Sequence, residues 1–86
     1  MAEYAVTFAR SARRELESLE GAVVERVFVR IEDLARNPRP RECLKLRGRQ
    51  GFWRLRVGDY RVIYTIDDDQ GLVDIVAVRH RRDAYR

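Results

Sequence analysis

The run FWRLRVGDYRVIY, residues 52–64, constrains this chain more than any other segment. Apolar and basic residues alternate on either side of Gly58-Asp59, and alternation at period two marks a half-buried strand. Gly58-Asp59 reads as a two-residue turn, with glycine first as a type II′ turn prefers. The run therefore predicts an antiparallel hairpin of strands over residues 52–57 and about 60–66. That turn sets Val57 opposite Tyr60, Arg56 opposite Arg61 and Arg54 opposite Ile63. Trp53, Leu55, Val57, Tyr60, Val62, Tyr64 and Ile66 then share one face, which should pack on the rest of the protein. Arg54, Arg56 and Arg61 share the other. Like charges directly opposed on a sheet are destabilising. Two readings of the trio stand: the arginine stems cover apolar sheet while their heads splay into water, or an anionic partner visits.

The rest of the chain supplies what the hairpin packs on. Residues 4–8 read as a short strand with Tyr4, Val6 and Phe8 on one face, and Thr7 is a candidate cap for the helix that follows. Ala9, Ala12, Leu16 and Leu19 recur at helical spacing up to Gly21. Val24, Val27, Phe28, Ile31, Leu34 and Ala35 form the apolar stripe of a second helix over about 22–36. Asn37-Pro38 stops it, because the residue before proline disfavours the α region. Residues 39–51 read as a loop, and 72–78 as a last strand. With 86 residues the chain has room for one domain, 1–86. The order predicts an α+β fold: an N-terminal strand, a two-helix antiparallel hairpin and a three-stranded antiparallel meander. The helices pack on one face of a twisted, mainly antiparallel sheet.

Charge is distributed unevenly. Residues 1–43 carry 8 basic and 8 acidic side chains, whereas residues 44–86 carry 10 and 6, so the whole net charge of +4 lies in the second half. All the basic residues but Lys45 are arginine, whose planar fork suits phosphate. Genomic composition bias can account for the arginine excess but not for its placement. An anionic partner, nucleic acid or acidic protein, fits that placement.

The single cysteine, Cys43, reads as a passive thiol. The early Glu3 and lack of a long apolar run argue against a signal peptide or a spanning helix, so a cytoplasmic, membrane-free protein is expected. Asp67-Asp68-Asp69 lacks the spacing and closing glutamate of a calcium loop and reads as a solvated turn. No metal-ligand cluster and no cofactor are expected.

The end of the chain, Arg79-His80-Arg81-Arg82-Asp83-Ala84-Tyr85-Arg86, adds four more arginines, the only histidine and a tyrosine. If Ala77 lies beside Arg61, Arg79 and Arg81 fall on the face of the trio; a one-residue slip brings His80 there instead. Arginines grip phosphates and Tyr85 can stack on a base, so the cluster favours an RNA ligand over a passive surface.

These residues resemble the RelE/ParE superfamily of toxins from type II toxin–antitoxin modules. The resemblance spans nearly the whole chain. It rests on the opening strand, Ser11-Ala12-Arg13-Arg14-Glu15-Leu16, Asn37-Pro38, Lys45-Leu46-Arg47-Gly48, the segment from Arg54 to Tyr64, and the ending from His80 to Arg86. The RelE branch cuts mRNA in the ribosomal A site, and its pattern matches Arg54, Arg56, Arg61, Arg81 and Tyr85. RelE commonly carries lysine where this chain has Arg54 and Arg56, and the spacing from Arg81 to Tyr85 is shorter than in some members.

The resemblance implies attack of a 2′-OH on the adjacent phosphate without a metal. Arg54, Arg56, Arg61 and Arg81 would surround the phosphorane with positive charge. A guanidinium stays protonated and is a poor base. His80, the only imidazole in the sequence, is the candidate acceptor, and Tyr85 would stack or move a proton. Lys45, Arg47, Arg79 and Arg82 would bind RNA. The implied partners are a cognate antitoxin, the ribosome with A-site mRNA, and operator DNA reached through the antitoxin. The alternatives are a ParE-like inhibitor of DNA gyrase, and an inactive homologue that only binds its antitoxin as co-repressor.

Overall fold

The computed structural model describes residues 3–48 and 50–80. The elements run β1 (Ala5–Phe8), α1 (Arg10–Glu17), α2 (Gly21–Asp33), β2 (Cys43–Lys45), β3 (Phe52–Val57), β4 (Tyr60–Asp67) and β5 (Leu72–His80). The strands form one sheet in the order β1-β5-β4-β3-β2. Strand β1 runs parallel to β5, and the other three pairings are antiparallel. The expected α+β architecture is what forms.

Both helices lie on the same side of the sheet, where alternation puts the apolar residues. Ala12 and Leu16 of α1 and Val27 and Ile31 of α2 meet Leu55, Val57, Val62, Tyr64, Val73, Ile75 and Val78 in one core. Trp53, Tyr60 and Ile66 pack at its margin, so the hairpin's apolar face is the one expected.

Several boundaries differ from the sequence reading. Gly21 opens α2 rather than closing α1. The first helix ends at Glu17, where the Ser18 hydroxyl donates to the Glu15 carbonyl and Leu19 N–H closes a tight turn on Leu16. Thr7 does not cap α1. It lies in β1, and its hydroxyl donates to Asp74 of β5 at 2.8 Å. The loop over 39–51 contains the edge strand β2, too short to show a period. Its Cys43, Leu44 and Lys45 pair with Leu55, Arg54 and Trp53.

The acidic turn after β4 has a specific anchor. Asp68 accepts the Tyr4 hydroxyl at 2.6 Å and both terminal nitrogens of Arg39, at 3.3 and 2.8 Å. Arg39 also lies over the Trp53 ring, 5.3 Å from its centroid. This ties β1, the β4–β5 turn and the loop after α2 together. The Arg39 guanidinium, then the Tyr4 hydroxyl, hold the Asp68 carboxyl below its ordinary value. A depressed folded pKa means that the stabilisation is complete above the unfolded value of 3.8 and is lost as pH falls through the folded one. Asp68→Asn should therefore melt below wild type at pH 7, with the gap narrowing in melts at pH 3 and lower. A constant gap across that range would show that the carboxylate charge contributes nothing.

Candidate nucleic-acid interface

The sheet face away from the helices carries the arginines. In the β3–β4 register Arg56 pairs with Arg61, and in the β4–β5 register Arg61 pairs with Arg79. Three arginines thus form a row across three adjacent strands. The neighbouring row is Leu44, Arg54, Ile63 and Ala77. Residues opposed in this way hold their Cβ atoms roughly 4.5–5.5 Å apart. The turn that sets the register has Gly58 at φ 59° and no positive φ at Asp59, as a type II′ turn requires. A side chain at position 58 would be strained by that φ, although nothing stands within 4 Å of its Cβ direction.

An irregularity in β5 decides which residue completes the row. Tyr64 pairs with Ile75 while Ile63 pairs with Ala77, which leaves Val76 as an extra residue. A bulge of this kind shifts every later side chain to the opposite face. Without it, Val78 would leave the core and His80 would point to the arginine face. With it, Val78 is buried at 3% exposure and Arg79 stands beside Arg61. Ala77 accordingly lies beside Ile63, two residues from the expected register but on the expected face.

The row is not a set of equivalent charges. Arg56 is exposed, with its Nε directed to the Gly58 carbonyl at 3.4 Å. Arg54 and Arg61 are half-buried. Arg79 turns around the sheet edge, and its Nε donates to Glu15 of α1 at 3.2 Å. That ion pair offsets part of the like-charge crowding in the row. Sequence reasoning missed Glu15. The available signal was its place in the last turn of α1, where a carboxylate opposes the helix dipole.

The other expected residues fall elsewhere. Lys45 is exposed but pairs with Trp53, so the register puts it on the helix-side face, away from the row. Arg47 lies in the β2–β3 connection, exposed. His80 pairs with Tyr60 at the end of β5, on the helix side, where the two rings meet edge to face at 5.1 Å. Arg81, Arg82 and Tyr85 lie outside the described residues. Among the described residues no group of His, Cys, Asp and Glu is placed to hold a metal ion, and no helix is long and apolar enough to cross a membrane.

What the row can do follows from its chemistry. Guanidinium groups at strand spacing present forked donors to an anion, and phosphate oxygens accept such pairs bidentately. Nothing in the row accepts a proton.

Comparison with known proteins agrees with this architecture. Residues 6–85 match the family model described as the ParE toxin of the type II toxin–antitoxin system parDE. Toxin RelG of Mycobacterium tuberculosis is 42% identical over 88 residues, covering 96% of this chain and 97% of the relative. Toxin RelE of the same organism is 36% identical over 80 residues, covering 93% and 79%. Among solved structures, the RelBE2 toxin–antitoxin complex of Mycobacterium tuberculosis superposes with a TM-score of 0.80 at 38% identity, covering 92% of this chain and 99% of the other. The archaeal RelE–RelB complex of Pyrococcus horikoshii gives 0.81 at 31% identity, covering 92% and 96%. With the sheet order, the helix pair and nearly every residue accounted for, the chain belongs to the RelE/ParE toxin superfamily of type II toxin–antitoxin systems.

Proposed function

We propose that the protein is a ribosome-dependent mRNA endoribonuclease held in check by a cognate antitoxin. The observation that carries this reading is the Arg56–Arg61 pair at the centre of the outer face, with Arg54 one row away. In the reaction the 2′-oxygen forms a bond to the adjacent phosphorus and the bond from phosphorus to the 5′-oxygen breaks. The products are a 2′,3′-cyclic phosphate and a 5′-OH. Negative charge builds on the non-bridging oxygens, where the arginines' donors meet it. The 2′ proton goes to His80 through a bridging water, because the ring lies on the helix side of the sheet against Tyr60, and solvent water gives a proton to the leaving 5′-oxygen. In this reading Arg81 and Tyr85 complete the site and Arg47, Arg79 and Arg82 hold flanking RNA, while Lys45, on the helix-side face, takes no part. His80→Gln should lower the cleavage rate about 100-fold, the scale of a lost acid–base group. A loss under threefold in single-turnover cleavage would remove His80 from the chemistry.

The antitoxin assignment is supported by the solved relatives, which are toxin–antitoxin complexes. A groove between β1 and α2, lined by the apolar Val6, Phe8, Phe28 and Val29 and by the charged Glu3, Glu32, Asp33 and Arg36, offers such a partner an exposed surface of mixed character.

The test is cleavage mapping. Purified protein is added to ribosomes paused on a defined mRNA, and new 5′ ends are mapped by primer extension. Cuts within the A-site codon support the reading. The match to the ParE family model favours a second one, inhibition of DNA gyrase without RNA chemistry. Folded protein that leaves mRNA intact but blocks gyrase supercoiling would establish that one instead.

A further inference from the structure

We propose that Glu15 is a positioning residue that fixes the end of β5 on which this site depends, an inference that rests on the ribonuclease reading. Strand β1 covers β5 only as far as the Phe8–Ile75 pair. Ala9 N–H then bonds the Ile75 carbonyl, and the chain turns into α1. Among the described residues the β5 edge has no neighbouring strand beyond that point, and Val76 is already out of register. A backbone donor left there without a partner would destabilise the edge. Glu15 supplies the partner: one carboxylate oxygen accepts Val78 N–H at 2.9 Å, and the other accepts Arg79 Nε at 3.2 Å.

Both bonds span more than 60 residues of sequence, and neither serves α1. A glutamate in the last turn of α1 faces the negative end of that helix's dipole, so helix formation does not explain it. Glu15 also walls an open groove of about 630 Å³ whose other side is Tyr60 and His80. The end of β5 carries Arg79 and His80 and leads directly into Arg81. Glu15 therefore sets the direction of Arg79 and His80, the two site residues at the described end of β5, without touching the substrate.

The two carboxylate oxygens can be separated by substitution. Glu15→Gln keeps a carbonyl acceptor for Val78 N–H and gives up the charge facing Arg79. Glu15→Ala gives up both. Cleavage of ribosome-bound mRNA would be measured together with amide exchange at Val78 and, as a folding control, at Val62 in the centre of the sheet. Glu15→Ala should lower kcat roughly 10- to 100-fold, the scale of a misplaced group, with half-saturation shifted less than about threefold. Glu15→Gln should return kcat to within about threefold of wild type. Val78 exchange should rise at least about tenfold in Glu15→Ala only, with Val62 unchanged. Full activity in Glu15→Ala overturns the proposal. So does equal loss in both variants with Val78 still protected, since charge on Arg79 would then be the cause. If wild-type protein makes no cuts, the ribonuclease reading fails, and Val78 exchange still decides whether Glu15 anchors the strand.

Discussion

Arg61→Ala is expected to lower ribosome-dependent mRNA cleavage by about 100- to 1,000-fold, the scale of losing one preorganised donor to a developing anion. Arg61 has the strongest claim because it is the middle of the row, paired with Arg56 on one side and Arg79 on the other. It is also half-buried where Arg56 is exposed, so its field is less screened by water. Its neighbours cannot substitute fully: Arg79 is drawn to Glu15, and Arg56 is directed toward the Gly58 carbonyl. The melting temperature is measured alongside, because removing one of three opposed like charges relieves repulsion while deleting a half-buried arginine stem uncovers sheet; a loss of cleavage is assigned to the site only at a temperature where the variant is folded. Arg13→Ala is the control, since it removes the same charge from α1, where Arg13 is 74% exposed beside Glu17. It should cut as wild type does. Equal losses in the two variants would mean that net charge alone drives association with the ribosome, and Arg61 would lose its assignment to the site.

The hairpin was legible because its signals are local. Alternation gives the faces, and Gly58 permits the one turn geometry that opposes Arg56 to Arg61. The order of the sheet's other strands is not local. Strand β2 is three residues long, below the length at which alternation can be told from chance. Position 76 was illegible for a different reason. Val76 sits in an unbroken apolar run, Ile75 to Val78, and nothing in its chemistry marks it as the extra residue. Tertiary packing selects it, because only that choice buries Val78 and keeps Arg79 on the outer face. His80 and Arg79 exchange faces on that single residue, which is why both remained open on sequence grounds. Glu15 and Asp68 were hidden for a third reason. Each looks like one more solvated charge until the fold brings a partner from a distant segment.

Tyr64→Ala should be the most destabilising single change in the sheet. Tyr64 is fully buried, paired between Trp53 of β3 and Ile75 of β5 beside the irregularity in β5. Its hydroxyl donates to the Pro38 carbonyl at 2.7 Å, which holds the loop after α2 onto the sheet. Deleting a buried aromatic of this size costs about 3–5 kcal/mol, against a total stability of about 5–15 kcal/mol for a typical domain. At about 4–8 °C per kcal/mol for a domain of this length, the melting temperature should fall by roughly 12 °C or more. Tyr64→Phe separates the two contributions. It keeps the ring and strands a buried carbonyl, a loss of about 1–2 kcal/mol. Burial also pushes the Tyr64 phenol well above its ordinary value of 10.0. A raised folded pKa means that stability is complete below pH 10 and declines as pH rises beyond it, where the unfolded phenol ionises and the folded one does not. Tyr64→Phe has no such decline, so its deficit against wild type should shrink in melts above pH 10. A deficit that stays constant into that range would show that the phenol reaches water in the folded protein, and that the loop after α2 is not sealed over it.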